Sequence, residues 1–137
     1  MLKRTYRLPN RIKNRKYFLR AAHNGKKFVA KGLIVQVIQN DLSDKRVGFT
    51  TTKKLGCAVI RNRVRRRLRE ICRLEFAHAP KGYDYVFVGR QATIDRSFDM
   101  LQKDARYISA QIQMYVEQRI EQEKQQSIQT DEKDITK

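Results

Sequence analysis

Residues 57–73, CAVIRNRVRRRLREICR, concentrate the chemistry of this chain: seven arginines lie between positions 61 and 73. Ile60, Val64, Leu68 and Ile71 recur among them at spacings of three and four. That period keeps one face of a helix apolar and leaves the arginines most of the remaining circumference. A guanidinium is planar, weakly hydrated and matched to phosphate, so such a face suits a polyanion. A charge run is more commonly a solvated face. The single sign argues against that here. Arg61, Arg65 and Arg69 stand at i,i+4 spacing, where like charges repel by roughly 0.2–0.5 kcal/mol per pair. Something outside the helix must compensate.

Bond-making chemistry has no comparable constellation. The two cysteines, Cys57 and Cys72, and the two histidines, His23 and His78, form neither a CxxC nor an HxxxH spacing, so no metal site is expected. Asp41, Asp44, Asp84 and Asp95 stand singly, and no nucleophile motif or two-metal carboxylate cluster is visible. Cys72 falls near the apolar face of the Arg-rich helix and reads as a small buried hydrophobe. A disulfide is not expected.

The whole chain has 137 residues, enough for one domain, with a net charge of +17 and a pI near 10.3. Residues 117–137 hold six acids and four bases, a net of −2, so residues 1–116 carry +19 by difference. Solubility needs far less. Nucleic acid is the leading partner class, and an anionic membrane surface is second. No apolar run approaches the ~20 residues that span a bilayer. The first residues, MLKRTYRLPNRIKNRK, lack the apolar core of a secretory signal. The expectation is a soluble, cytoplasmic protein with no membrane association and no obligate protein partner.

The elements that must position the arginines follow from pattern. Residues 11–22 read as a helix broken at Gly25-Lys26, and residues 27–38 as extended, interrupted at Lys31-Gly32. Residues 39–45 form a polar turn and 46–52 a second strand. The Arg-rich helix spans about 58–77 and stops at Ala79-Pro80-Lys81-Gly82. Residues 83–89, YDYVFVG, form a strand buried on both faces. A last helix runs from about 97 to 123, with Phe98, Leu101, Ala105, Ile108, Ile112 and Tyr115 inward. One domain over residues 1–123 and a polar, disordered tail over 124–137 are expected. This order implies an α/β (α+β) two-layer sandwich, a mixed sheet of about four strands with three helices.

Residues 46–70, RVGFTTTKKLGCAVIRNRVRRRLRE, resemble the protein component of bacterial ribonuclease P. The matching signature is Val47-Gly48, then Lys53-Lys54-Leu55-Gly56, then Ala58-Val59-Ile60-Arg61-Asn62-Arg63. Arg-Asn-Arg alone is weak; joined to the Lys-Lys-x-Gly lead-in at this spacing it is specific. A basic N-terminal segment with Arg7-Leu8 agrees, and the resemblance spans about residues 3–116. It implies an α/β sandwich whose Arg-rich helix makes a left-handed βαβ crossover, against the usual right-handed preference. It also implies a non-catalytic subunit of an endoribonuclease that removes the 5′ leader of precursor tRNA. The RNA subunit carries out the Mg2+-dependent hydrolysis, and no cofactor bound by the protein is expected. Its partners are the ribonuclease P RNA and precursor tRNA.

On that resemblance, Arg61, Arg63, Arg65, Arg66, Arg67 and Arg69 are expected to contact phosphates of the catalytic RNA. Lys53 and Lys54 extend the track. Arg61 and Arg67 flank the apolar stripe, so a structural role is the alternative for either. Asn62 can contact a 2′-hydroxyl or base edge, or instead bridge its neighbours. The family's leader cleft, between the first helix and the sheet, maps onto Tyr17, Phe18, Phe28, Gln36, Arg15, Lys16 and Arg20. Phe18 is the leading stacking candidate, worth about 1–3 kcal/mol per base, with a core position as its alternative. Two positions that are often aromatic in the family are Ala22 and Gln36 here, which shifts leader contact toward charge and hydrogen bonding. Cys57 stands where many relatives have Asn, and losing that N-cap costs about 1 kcal/mol.

Three other readings compete. A small ribosomal or assembly protein shares the composition but not the Lys-Lys-x-Gly…Arg-Asn-Arg string. A major-groove DNA reader would mix Asn, Gln and Ser among the arginines. A protein-only nuclease would need a carboxylate cluster that is missing.

Overall fold

A computed structural model describes residues 10–135, with side chains as far as Ser127; Arg7-Leu8 and residues 136 and 137 lie outside the described residues. Among the described residues five strands form one sheet: β1 (Asn10–Arg11), β2 (Lys26–Val29), β3 (Ile34–Gln39), β4 (Arg46–Thr51) and β5 (Tyr83–Gly89). The helices are α1 (Arg15–Asn24), α2 (Ala58–Glu75), α3 (Gln91–Asp95) and α4 (Phe98–Ile135), with a 3₁₀ turn at Lys53–Leu55. The strand order is β1-β4-β5-β3-β2, with β1, β4 and β5 parallel and β3 and β2 antiparallel. α2 carries the chain between the neighbouring parallel strands β4 and β5.

The α/β sandwich is as expected, with two differences in number. The sheet has five strands rather than about four, because β1 is two residues long and shows no alternation. A fourth α-helix, α3, is five residues long, too short for a helical period to register. The first helix begins at Arg15 rather than 11, because the Asn14 side chain accepts from the Lys16 N–H at 3.0 Å and starts it there. Gly25 ends it. The break at Lys31-Gly32 separates β2 from β3 as the sequence predicts.

Strand alternation divides the apolar residues between two layers. Val35, Val37, Val47, Phe49, Tyr85 and Phe87 face α2 and α4, meeting Val64, Leu68 and Ile71 on one helix and Leu101, Ala105, Ile108 and Ile112 on the other. α2 approaches β5 so closely that a Cβ on Gly89 would lie 2.1 Å from Val64 Cγ1. On the second face Ile12, Ala21 and Val86 are buried beside Tyr17, Phe18, Ile38 and Val88. Among the described residues that layer is α1 with Ile12, and they leave part of the sheet uncovered.

α4 runs past position 123 to Ile135, where the sequence reading placed a disordered tail from 124. No Gly or Pro interrupts residues 98–137, and Gln, Glu and Lys there are good helix formers. Residues 121–127 are exposed.

Candidate RNA interface

Gly56, at φ +79°, turns the chain from the Lys53–Leu55 segment into α2. Val64, Leu68, Ile71 and Cys72 bury the inner stripe. Arg63 and Arg66 are exposed, and Arg61, Arg65 and Arg69 are half-buried at its borders. None of these five makes an ion pair with a described residue. Lys53 and Lys54 are exposed just before the helix. The helix thus presents an uncompensated cationic face continuous with two lysines. Asn62 Oδ1 accepts from Arg65 Nη1 at 3.4 Å, a weak contact.

Two cations hold the helix from inside. Arg67 is one of them. Its Nη1 donates to the carbonyls of Thr93, Ile94 and Arg96 at 2.9, 3.2 and 2.7 Å. The flank position that allowed a structural role brings it against the end of α3, whose last carbonyls have no helical partner. At the other end, buried Lys45 donates to the carbonyls of Phe76, Ala77 and Ala79 at 3.3, 2.7 and 3.1 Å. A cation there complements the helix dipole, while burial pulls the Lys45 pKa down. Sequence reasoning missed Lys45, because nothing local marks a lysine that meets a helix end some thirty residues on. Arg73 pairs with Glu70 one turn away.

Cys57 occupies the N-cap of α2 without a side-chain cap bond. Backbone N–H groups of Ile60 and Val59 nonetheless favour its thiolate, and its pKa is lowered. Burial pushes the Cys72 thiol up to about 12, as expected of an inert core residue.

A cleft of about 450 Å³ opens on the uncovered part of the second face, lined by Arg15, Phe18, Leu19 and Ala22 of α1 with Gln36, Thr50 and Val88 of the sheet. Phe18 is half-buried. Its ring lies over Gly48, where a Cβ would come within 2.6 Å of Cε1. The motif glycine therefore makes room for this ring. Leu19, Thr50 and Val88 were not anticipated; the period of two that puts Thr50 on the face of Gly48 was the available signal. Lys53 and Lys54 follow Thr50 by three and four residues.

The remaining expected cleft residues lie elsewhere. Tyr17 turns to the other side of α1, under the Arg46 guanidinium at 4.1 Å from its ring centroid. Arg46 donates through Nε and Nη2 to the buried Asp84 at 2.9 and 2.7 Å, which raises its pKa further. Asn40 Nδ2 gives Asp84 a third bond at 2.9 Å. Lys16 sits over Tyr17, and Arg20 Nη2 donates to the Gln39 carbonyl at 3.4 Å; neither lines the cleft. Phe28 is not brought to this group at all. It is buried on the opposite face, edge-on to Tyr115 of α4 at 5.7 Å. Its register partner Val35 faces the main core, and strand parity takes Phe28 there with it.

Among the described residues no helix is long and apolar enough to cross a membrane. No group of three or more His, Cys, Asp or Glu side chains is gathered to hold a metal ion.

The family model described as Ribonuclease P matches residues 6–113. The ribonuclease P protein component of Gluconacetobacter diazotrophicus is 46% identical over 99 residues, covering 71% of this chain and 85% of the relative. That of Paramagnetospirillum magneticum is 46% identical over 101 residues, covering 69% and 76%. The structure of the Staphylococcus aureus RNase P protein superposes with a TM-score of 0.61 at 26% identity, covering 72% of this chain and 90% of that one. The Thermotoga maritima RNase P protein gives a TM-score of 0.60 at 27% identity, covering 69% and 90%. The motif, the sheet order and these matches agree: the chain belongs to the ribonuclease P protein family, whose role is in tRNA processing and whose partner is ribonuclease P RNA.

Proposed function

We propose that this chain binds the ribonuclease P RNA through α2 and receives the 5′ leader of precursor tRNA in the α1 cleft. The leader is removed by hydrolysis on the RNA, which also carries the required Mg2+. The carrying observation is the α2 face: five arginines without an acidic partner among the described residues, beside Lys53 and Lys54. Intrahelical repulsion on that face is relieved when phosphates neutralise it. Arg61, Arg63, Arg65, Arg66 and Arg69 contact phosphates, and Arg67 holds the helix that presents them. In the cleft, Phe18 offers a ring edge and face to a base, Arg15 a charge, and Gln36 an amide that both donates and accepts. The cytoplasm, where tRNA precursors are processed in a bacterium, is the proposed location.

The test is 5′ processing of a precursor tRNA at low magnesium. Four samples are compared: bacterial ribonuclease P RNA alone, this protein alone, both together, and both with Arg61, Asn62 and Arg63 changed to Ala. Cleavage only where wild-type protein joins the RNA is the expected result. Protein that leaves RNA cleavage unchanged while binding RNA tightly would reduce the reading to a general RNA-binding module.

A further inference from the structure

β2 is the outer strand of its side of the sheet, and its residues alternate between faces. Lys27 pairs with Gln36, so it continues the face that carries the α1 cleft. Lys26 and Phe28 point the other way, toward α4. There a second cleft of about 570 Å³ opens, with the strand edge at Lys26 and Lys27 on one wall and Gln111, Met114 and Gln118 on the other. Phe28 and Tyr115 form its floor. Met114 is 61% exposed. Among the described residues no carboxylate lines the cleft, and neither lysine makes an ion pair.

Two neighbouring lysines on opposite faces of an edge strand make a cationic rim joining the two clefts. A phosphodiester strand crossing the edge would meet Lys27 first and Lys26 next. The glutamine amides beyond can pair with base edges, and Met114 offers apolar surface to a base. An extended peptide could also add to the edge of β2. The charge and the missing carboxylates favour a polyanion.

We propose that the edge of β2 and the β2–α4 cleft form a second, more distal subsite for single-stranded 5′ leader. This rests on the reading that the α1 cleft receives the proximal leader. From β5, under that cleft, to β2 is two interstrand spacings, about 10 Å. Only leaders that extend past the first cleft reach the second.

The experiment uses the holoenzyme reconstituted with bacterial ribonuclease P RNA and precursor tRNAs whose leaders are lengthened one nucleotide at a time. Wild-type protein is compared with the Lys26→Ala/Lys27→Ala variant and with Met114→Gln. Both changes fall at exposed positions, and thermal unfolding checks folding. Wild-type affinity should rise in two steps with leader length. The lysine variant should keep the first step and lose the second, and its salt slope on long leaders should fall by about 1.4, for two single-strand phosphates. Met114→Gln should weaken the second step alone, with the salt slope unchanged.

A lysine variant that follows wild type at every length overturns the subsite and leaves the edge to a peptide. Equal loss on short and long leaders also overturns it, because the lysines then act on the complex as a whole. Wild-type affinity that ignores leader length altogether instead removes the leader reading of the α1 cleft, and the subsite with it.

Discussion

Changing Arg67 to Ala should lower the stability of the fold and leave the number of phosphate contacts unchanged. Its Nη1 meets the carbonyls of Thr93, Ile94 and Arg96 at 2.9, 3.2 and 2.7 Å. That nitrogen carries only two hydrogens, so the three contacts amount to two full bonds, one of them shared. Each bond to a charged donor is worth about 1.5–3 kcal/mol, and the low end suits a half-buried side chain, giving about 3 kcal/mol in total. For a chain of this size that corresponds to a fall in Tm of roughly 12 °C. Arg66 is the control: it is exposed, so Arg66→Ala should alter stability by less than about 0.5 kcal/mol. It should instead reduce the log–log salt slope of RNA binding by about 0.9. The assays are thermal unfolding by circular dichroism and RNA titrations over a range of salt, well below the Tm of the variants. Arg67→Lys keeps one donor group and should recover part of the loss. If Arg67→Ala melts like wild type and reduces the salt slope by a full unit, the positioning argument is wrong and Arg67 is a phosphate contact.

Gly48→Ala should displace the Phe18 ring, which a Cβ would approach to 2.6 Å, at about 1–3 kcal/mol of overpacking. Both it and Phe18→Ala should weaken precursor tRNA binding more than mature tRNA binding; equal losses would make Phe18 a core residue only. Asp84→Ala strands the Arg46 guanidinium on Tyr17 and should destabilise the fold by about 3–5 kcal/mol, read from the denaturant midpoint. A change under about 1 kcal/mol would contradict a buried pair. The Cys72 thiol, raised from 9.0 to about 12 by burial, keeps its proton in the fold after the unfolded chain has lost its own. Stability therefore falls as pH rises between those two values. Tyr83 and Tyr85 act in the same direction and Lys45 in the opposite one, so the readout is the difference between wild type and Cys72→Ala: the alkaline decline should be steeper in wild type.

The recognisable parts of this chain are those whose cause is local. The spacing of Val64, Leu68 and Ile71 made α2 legible, and the run 83–89 made β5 legible, because periodicity and apolar runs follow from neighbours in the chain. The Lys-Lys-x-Gly…Arg-Asn-Arg string identified the family for a related reason: its Gly56 turn and its arginines act over one short stretch. β1 and α3 escaped because two and five residues are shorter than the periods that reveal a strand or helix. The length of α4 was misjudged because polar composition suits a solvated helix as well as a coil.

Side-chain partners from distant segments had no such trace. Arg66 and Arg67 are neighbours of one type, yet one faces solvent and the other the carbonyls at the end of α3. Only the docking of α3 against α2 separates them. Phe18 and Phe28 read alike as aromatic candidates, and strand parity in β2 sends Phe28 to the opposite side of the sheet. Lys45 and Arg46 look like two more surface cations; one caps α2 and the other neutralises Asp84. Charge and periodicity were written in the sequence and determined that a basic face exists and which helix bears it. Which cations belong to that face was decided by the tertiary structure, because a buried carbonyl or carboxylate claims the nearest donor wherever the chain places it.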